Sequence, residues 1–260
     1  MNQLISHLSE QQAASFFLVL ARVGPLFILA PVFSARMFPA RARGVAAVAL
    51  AIGMAPLATR GLTVPTGAGD LGALILKEAL VGLAFAFSVG TITAAVSVAG
   101  SFLDTAVGFS YGSILDPVTG TQSQILSQIY GLVGVLIFIA IGGDSWMIQG
   151  LARTYDLVPL NRLPSLDALV GGVQHAFVTI FGSALEIAAP VMLAAIITDA
   201  AFGLVSRVVP TLNVFAVGFP AKIAVALLVM GVSLPFVGGW IADQVDQSVS
   251  SALHSLKVAG

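Results

Sequence analysis

Gly108-Phe109-Ser110-Tyr111-Gly112 matches the Gly-x-Ser-x-Gly pattern, in which a sharp turn presents a serine nucleophile. The pattern carries chemistry only on a strand-to-helix turn, with a histidine and an acid delivered by the fold. Here the surroundings read as helical and apolar, and the histidines are His7, His175 and His254. Packing of a glycine-rich loop accounts for the motif better than an intramembrane hydrolase using Ser110 with His175. The histidines are isolated and no His-Glu-x-x-His occurs, which speaks against a zinc centre. Cysteine is absent, removing thiol nucleophiles, thiolate metal sites and disulfides together. No P-loop is present either. The reading is of a non-enzyme with no catalytic, cofactor-binding or metal-ligating residue to assign, and no cofactor.

A second set of residues bears charge inside apolar stretches. These are Arg22, Lys77, Glu78, Glu186, Asp199 and Lys222, with Arg207 near the end of one stretch. A charged side chain at the centre of a lipid-facing helix costs about 2.5–3.5 kcal/mol on insertion scales. Most of these groups are therefore expected to face protein or a water-filled path. They could form an ion or proton relay, or pair between helices or subunits of an assembly. No run of acids and histidines forms a relay, which favours pairing.

The elements that must hold these residues are unusually apolar. Of 260 residues only 23 are charged (11 basic, 12 acidic), and 58% are hydrophobic. Mean hydropathy is +1.01. A soluble domain is about 25% charged, and this chain could not cover a water-facing surface. Its net charge of −1 leaves no footprint for nucleic acid. Six apolar stretches stand out, 13–34, 44–58, 71–103, 125–141, 173–205 and 212–240. A bilayer core of about 30 Å takes about 20 helical residues. Two stretches are short for that and two are long, so bent helices or hairpins covered by protein fit better than six plain rods. Pro25, Pro31, Pro190, Pro220 and Pro235 fall where kinks are expected. Small residues at four-residue spacing, Ala47/Ala51/Ala55 and Ala86/Gly90/Ala94, would let helices approach closely. Ser9 with Gln12 reads as a capping box opening the first helix, in place of a signal peptide. Arg36, Arg41 and Arg43 place the first connection in the cytoplasm by charge bias. No linker or repeat divides the chain, so 1–260 reads as one all-α membrane domain.

The connection from Asp104 to Gln124 is long for a loop and holds large apolar residues between glycines. Connections of about 20 residues without their own secondary structure are usually functional. Gly108, Phe109, Tyr111, Gly112, Ile114, Leu115, Asp116 and Pro117 are the candidates for a plug or constriction. A re-entrant turn with only a packing role stays open.

Taken in order, several short runs resemble the flagellar biosynthetic protein FliR family. They are Ala21-Arg22-Val23-Gly24-Pro25, Ala30-Pro31-Val32-Phe33-Ser34, and the basic connection through Pro39, Arg41 and Arg43. Glu78 with Gly82, Ala99-Gly100, Gly108, Asp116-Pro117 and Gly142-Gly143-Asp144 continue the likeness. It ends in Arg207-Val208-Val209-Pro210, Asn213-Val214-Phe215 and Gly218-Phe219-Pro220. Thr211 departs from the Gln usual in the family, and Asp104 stands where an amide is common. The resemblance implies a noncatalytic subunit of the flagellar type III protein export gate, made of kinked helical hairpins. It implies assembly with FliP and FliQ and association with FlhB, at the bacterial inner membrane in the flagellar basal body. Unfolded flagellar proteins would pass a channel wall and plug to which this chain contributes, and Arg22, Glu78, Glu186 and Lys222 would meet partner subunits. The alternatives are a virulence-type secretion homologue and a small-solute transporter. The latter would want an internal repeat that the chain does not display.

Overall fold

Long apolar runs with few helix breakers fold into long helices here. The computed structural model describes residues 2–30, 39–60, 62, 64–65, 67–109, 124–161, 164–211 and 213–259. Among these there is no strand. The described helices are α1 (Asn2–Leu29), α2 (Ala40–Ala58), α3 (Ala68–Val107), α4 (Ile125–Ala140), α5 (Gly143–Leu157), α6 (Leu166–Val208) and α7 (Val214–Ala259). Helix α1 runs through Ser9, so the expected capping box does not open it.

α3, α6 and α7 have 40, 43 and 46 residues. At 1.5 Å per residue they are about 60 to 70 Å long, roughly twice a hydrocarbon core. Among the described residues five helices are long and apolar enough to cross a membrane, and α4 with α5 makes a sixth candidate as a bent pair. The described helices continue through Pro25, Pro56, Pro190, Pro220 and Pro235. A break falls at a glycine pair, where α4 and α5 are bent by 69°. Gly142 has φ of 74°, a left-handed conformation that glycine adopts without a Cβ clash. Gly143 then lies so close to the Phe138 ring that a Cβ would sit 2.7 Å from it.

The contacts group into two units. The first comprises 1–92, 138–177 and 244–260, and the second 93–137 and 178–243. In the first, α2 packs on α1, and it buries Ala47, Ala51, Met54 and Ala58; of the expected small-residue stripe Ala47/Ala51/Ala55, the first two are buried and Ala55 is half-buried. α1 and α3 run in the same direction, since the carbonyl of Arg22 faces Gly82 and that of Leu29 faces Gly90. Val81, Val158, Leu169 and Leu256 form an apolar cluster beside them. In the second unit, the end of α3 and the start of α4 form an antiparallel hairpin, with Gly100 against Ser127 and Gly134 against Val96. Asn213 caps α7 there, accepting the Ala216 N–H at 3.1 Å.

Candidate functional site

Among the described residues two places hold buried charge, and at both a glycine lets the helices approach. In the first unit, a Cβ on Gly82 would lie 2.1 Å from the Arg22 carbonyl oxygen. Only a hydrogen at this position lets α3 press against the α1 backbone. Glu78 lies one turn before Gly82 and so faces the same seam. Its carboxylate pairs with the Arg22 guanidinium, and both side chains are fully buried. Arg22 also donates to Thr154 Oγ1 at 3.2 Å and to the Val158 carbonyl at 2.7 Å. Its guanidinium carbon sits 4.2 Å from the Tyr155 ring centroid. Lys77, next to Glu78 in sequence, reaches Glu78 Oε1 at 2.5 Å and donates to the carbonyls of Pro159 and Leu160 at 3.0 and 3.1 Å.

Two basic side chains share one buried carboxylate and so need further acceptors. Main-chain carbonyls at and just beyond the C-terminal end of α5, those of Val158, Pro159 and Leu160, supply them. That end carries partial negative charge and unpaired acceptors, and α5 has no basic residue in its own last turn. Arg22 and Lys77 supply the basic groups from α1 and α3. The pairing favours a fixed joint between three helices over a proton relay, because Glu78 is held by basic side chains on two sides. Neither Thr154 nor Tyr155 was picked out from sequence, and their signal would have been the end of α5 at Val158-Pro159.

The second buried charge is Asp104 on α3, 2% exposed. Gly100, one turn earlier, brings α3 within van der Waals overlap of Ser127, where a Cβ would lie 2.4 Å from its Cα. Asp104 then reaches the start of α4. Its Oδ1 accepts the Leu126 N–H at 2.9 Å and its Oδ2 the Ser127 N–H at 3.0 Å. These are among the donors a helix start leaves unpaired, and the partial positive charge there stabilises the carboxylate.

The remaining charged candidates present themselves outward. Asp199 and Lys222 pair at 2.6 Å between α6 and α7, with the Asp199 side chain 61% exposed. Glu186 and Arg207 are exposed on α6 and have no ion pair among the described residues. Arg22, Lys77 and Glu78 are thus brought together within the chain, whereas Glu186 and Arg207 join neither that cluster nor the Asp199–Lys222 pair. Of the plug candidates, Gly108 is buried with φ of 105°, and Phe109 is half-buried. Tyr111, Gly112, Ile114, Leu115, Asp116 and Pro117 lie outside the described residues, as does Ser110.

Comparison with known proteins covers nearly all of this frame. Residues 13–248 match the family model for bacterial export proteins, family 1. The flagellar biosynthetic protein FliR of Bacillus subtilis is 30% identical over 252 residues, covering 95% of this chain and 96% of that protein. The FliR protein of Escherichia coli is 27% identical over 229 residues, 85% of each chain. The surface presentation of antigens protein SpaR of Salmonella typhimurium is 26% identical over 228 residues, 87% of this chain and 83% of the relative.

Proposed function

We propose, for a chain that belongs to the family of bacterial export proteins, family 1, a noncatalytic role as a structural subunit of a flagellar type III protein export gate. The chain is a component of a flagellar-type export apparatus and is membrane-embedded. The observation that carries the finer reading is the coincidence of a near full-length match to flagellar relatives with helices whose apolar faces are left open. On α6, Leu193, Ile196 and Ile197 are each about 60% exposed, and on α7 Leu228 and Val232 are 67% and 74% exposed. Lipid covers such faces over about 30 Å only, and α6 and α7 are about twice that length. Sister subunits would cover the rest, and FliP and FliQ are the expected ones, with FlhB alongside. The location that follows is the bacterial inner membrane at the flagellar basal body.

In this reading the whole chain, 1–260, is one gate-building piece. Its buried joint holds α1, α3 and α5 as wall, and the Gly108–Pro117 segment supplies part of the plug through which unfolded flagellar proteins must pass. Glu186, Arg207 and the Asp199–Lys222 pair are placed to meet neighbouring subunits. Flagellar over virulence-type secretion is supported by the wider coverage of the flagellar relative from B. subtilis. The test is purification of a tagged copy from its own cells. FliP and FliQ should come away with it as a single detergent-stable particle, and deletion of the chain should abolish motility. Recovery of a lone monomer with no partner would count against the gate.

A further inference from the structure

Asp104 touches both ends of the connection between α3 and α4. Its main-chain carbonyl accepts the Gly108 N–H at 3.2 Å, where the chain leaves α3. Its carboxylate accepts the Leu126 and Ser127 N–H groups at 2.9 and 3.0 Å, where the chain returns into α4. Ser101, one turn back toward Ser97, adds a contact across the same seam, its Oγ 3.3 Å from Ser127 Oγ. Ser127 Oγ in turn donates to the Ser97 carbonyl at 3.0 Å. Among the described residues no cation pairs with this buried carboxylate, and the start of α4 is its charge partner.

We propose that Asp104 is a positioning residue: it clamps the mouth of the α3–α4 hairpin and so sets where the 108–124 connection leaves and returns. The role for export rests on the plug reading of that connection. Two acceptor oxygens facing two N–H donors explain why a carboxylate stands here. An asparagine has one acceptor, and its NH2 would be turned against the other N–H. Charge-assisted bonds are also about twice as strong as neutral ones. Gly100 is the enabling partner, because any side chain there would hold Ser127 beyond the reach of Asp104.

The experiment uses the complete gate in its own membrane. Asp104→Asn and Asp104→Ala are compared with the parent by hydrogen exchange of segment 124–130 in the purified particle, and by ion leak across the membrane of the cells. Both variants should assemble, exchange that segment about tenfold faster, and leak. The chain has no cysteine, so Ser101→Cys with Ser127→Cys introduces a unique thiol pair across the seam. Oxidised in the Asp104→Ala background, that pair should restore the parental leak, and a reducing agent should undo the rescue. Unchanged exchange overturns the clamp. Faster exchange with a tight membrane, or a leak that the formed disulfide fails to close, overturns the positioning role. Should neither variant assemble, recovery of the particle by the disulfide supports the proposal and failure to recover it overturns it. A deletion of residues 110–122 that leaves the membrane tight defeats the plug reading by itself, while the exchange of segment 124–130 still judges the clamp.

Discussion

Arg22 makes four different contacts with one side chain. It meets Glu78, Thr154, the Val158 carbonyl and the Tyr155 ring, which a planar guanidinium can do at once. A lysine would place one point charge there and lose the fork and the stacking. Arg22→Lys should therefore lower the melting temperature of the detergent-purified gate although charge is conserved. Glu78→Gln should be worse, because it removes the carboxylate that Arg22 and Lys77 share and leaves both buried against neutral partners. Breaking a buried pair in this way costs about 3–5 kcal/mol. Thermal unfolding of the two variants beside the parent is the check, and equal melting of all three would contradict the joint.

At the scale of helices, glycine decides which surfaces can meet. Gly82 and Gly72 both lie on α3, one facing the α1 backbone and the other with nothing within 4 Å of where a Cβ would stand. Alanine is a better helix former than glycine by about 1 kcal/mol. Gly72→Ala should thus leave the protein unchanged or slightly steadier. Gly82→Ala should separate α1 from α3, pull Glu78 from Arg22 and cost well over the roughly 1–3 kcal/mol of ordinary overpacking, since the obstacle is backbone. Swimming-zone diameter and the level of membrane-inserted protein would separate the two variants in one experiment. The same logic places a bend of 69° at Gly142-Gly143. A proline removes one hydrogen bond while the helix continues, whereas a residue at φ of 74° redirects the chain.

At the scale of the whole molecule, the buried charges are matched within the chain and the open apolar faces are not. Exposed Leu193, Ile197, Leu228 and Val232 mark surfaces that want lipid or protein cover. This division suits a piece that folds around its own charged joint before partners close over it. The plug reading belongs to this scale as well. Removing residues 110–122 while keeping Gly108, Phe109 and Gln124 should let ions cross the membrane of cells that carry the full gate. Ion-leak or depolarisation measurements read this directly, and permeability equal to the parent's would defeat the assignment.

The class of protein was legible in composition, because 9% charge over 260 residues cannot clothe a water-soluble surface. The all-helical character, the family and the suspicion that embedded charges are paired were legible as well, since apolar runs and short ordered motifs are local properties. The sequence also marked Glu78 with Gly82 and Ala99-Gly100 as pieces worth notice, though not what they touch. Contacts across 56 or 132 residues, Arg22 to Glu78 and Arg22 to Thr154, are set by which helices lie side by side. So are the further acceptors for Arg22 and Lys77, main-chain carbonyls that every residue possesses and no side-chain pattern announces. Asp104 stands where an amide is expected, and only the fold sets the start of α4 beside it, with two N–H donors for its carboxylate. A helix end gains its partial charge only once the helix exists, so the partners of these buried ions could be decided only by the folded chain.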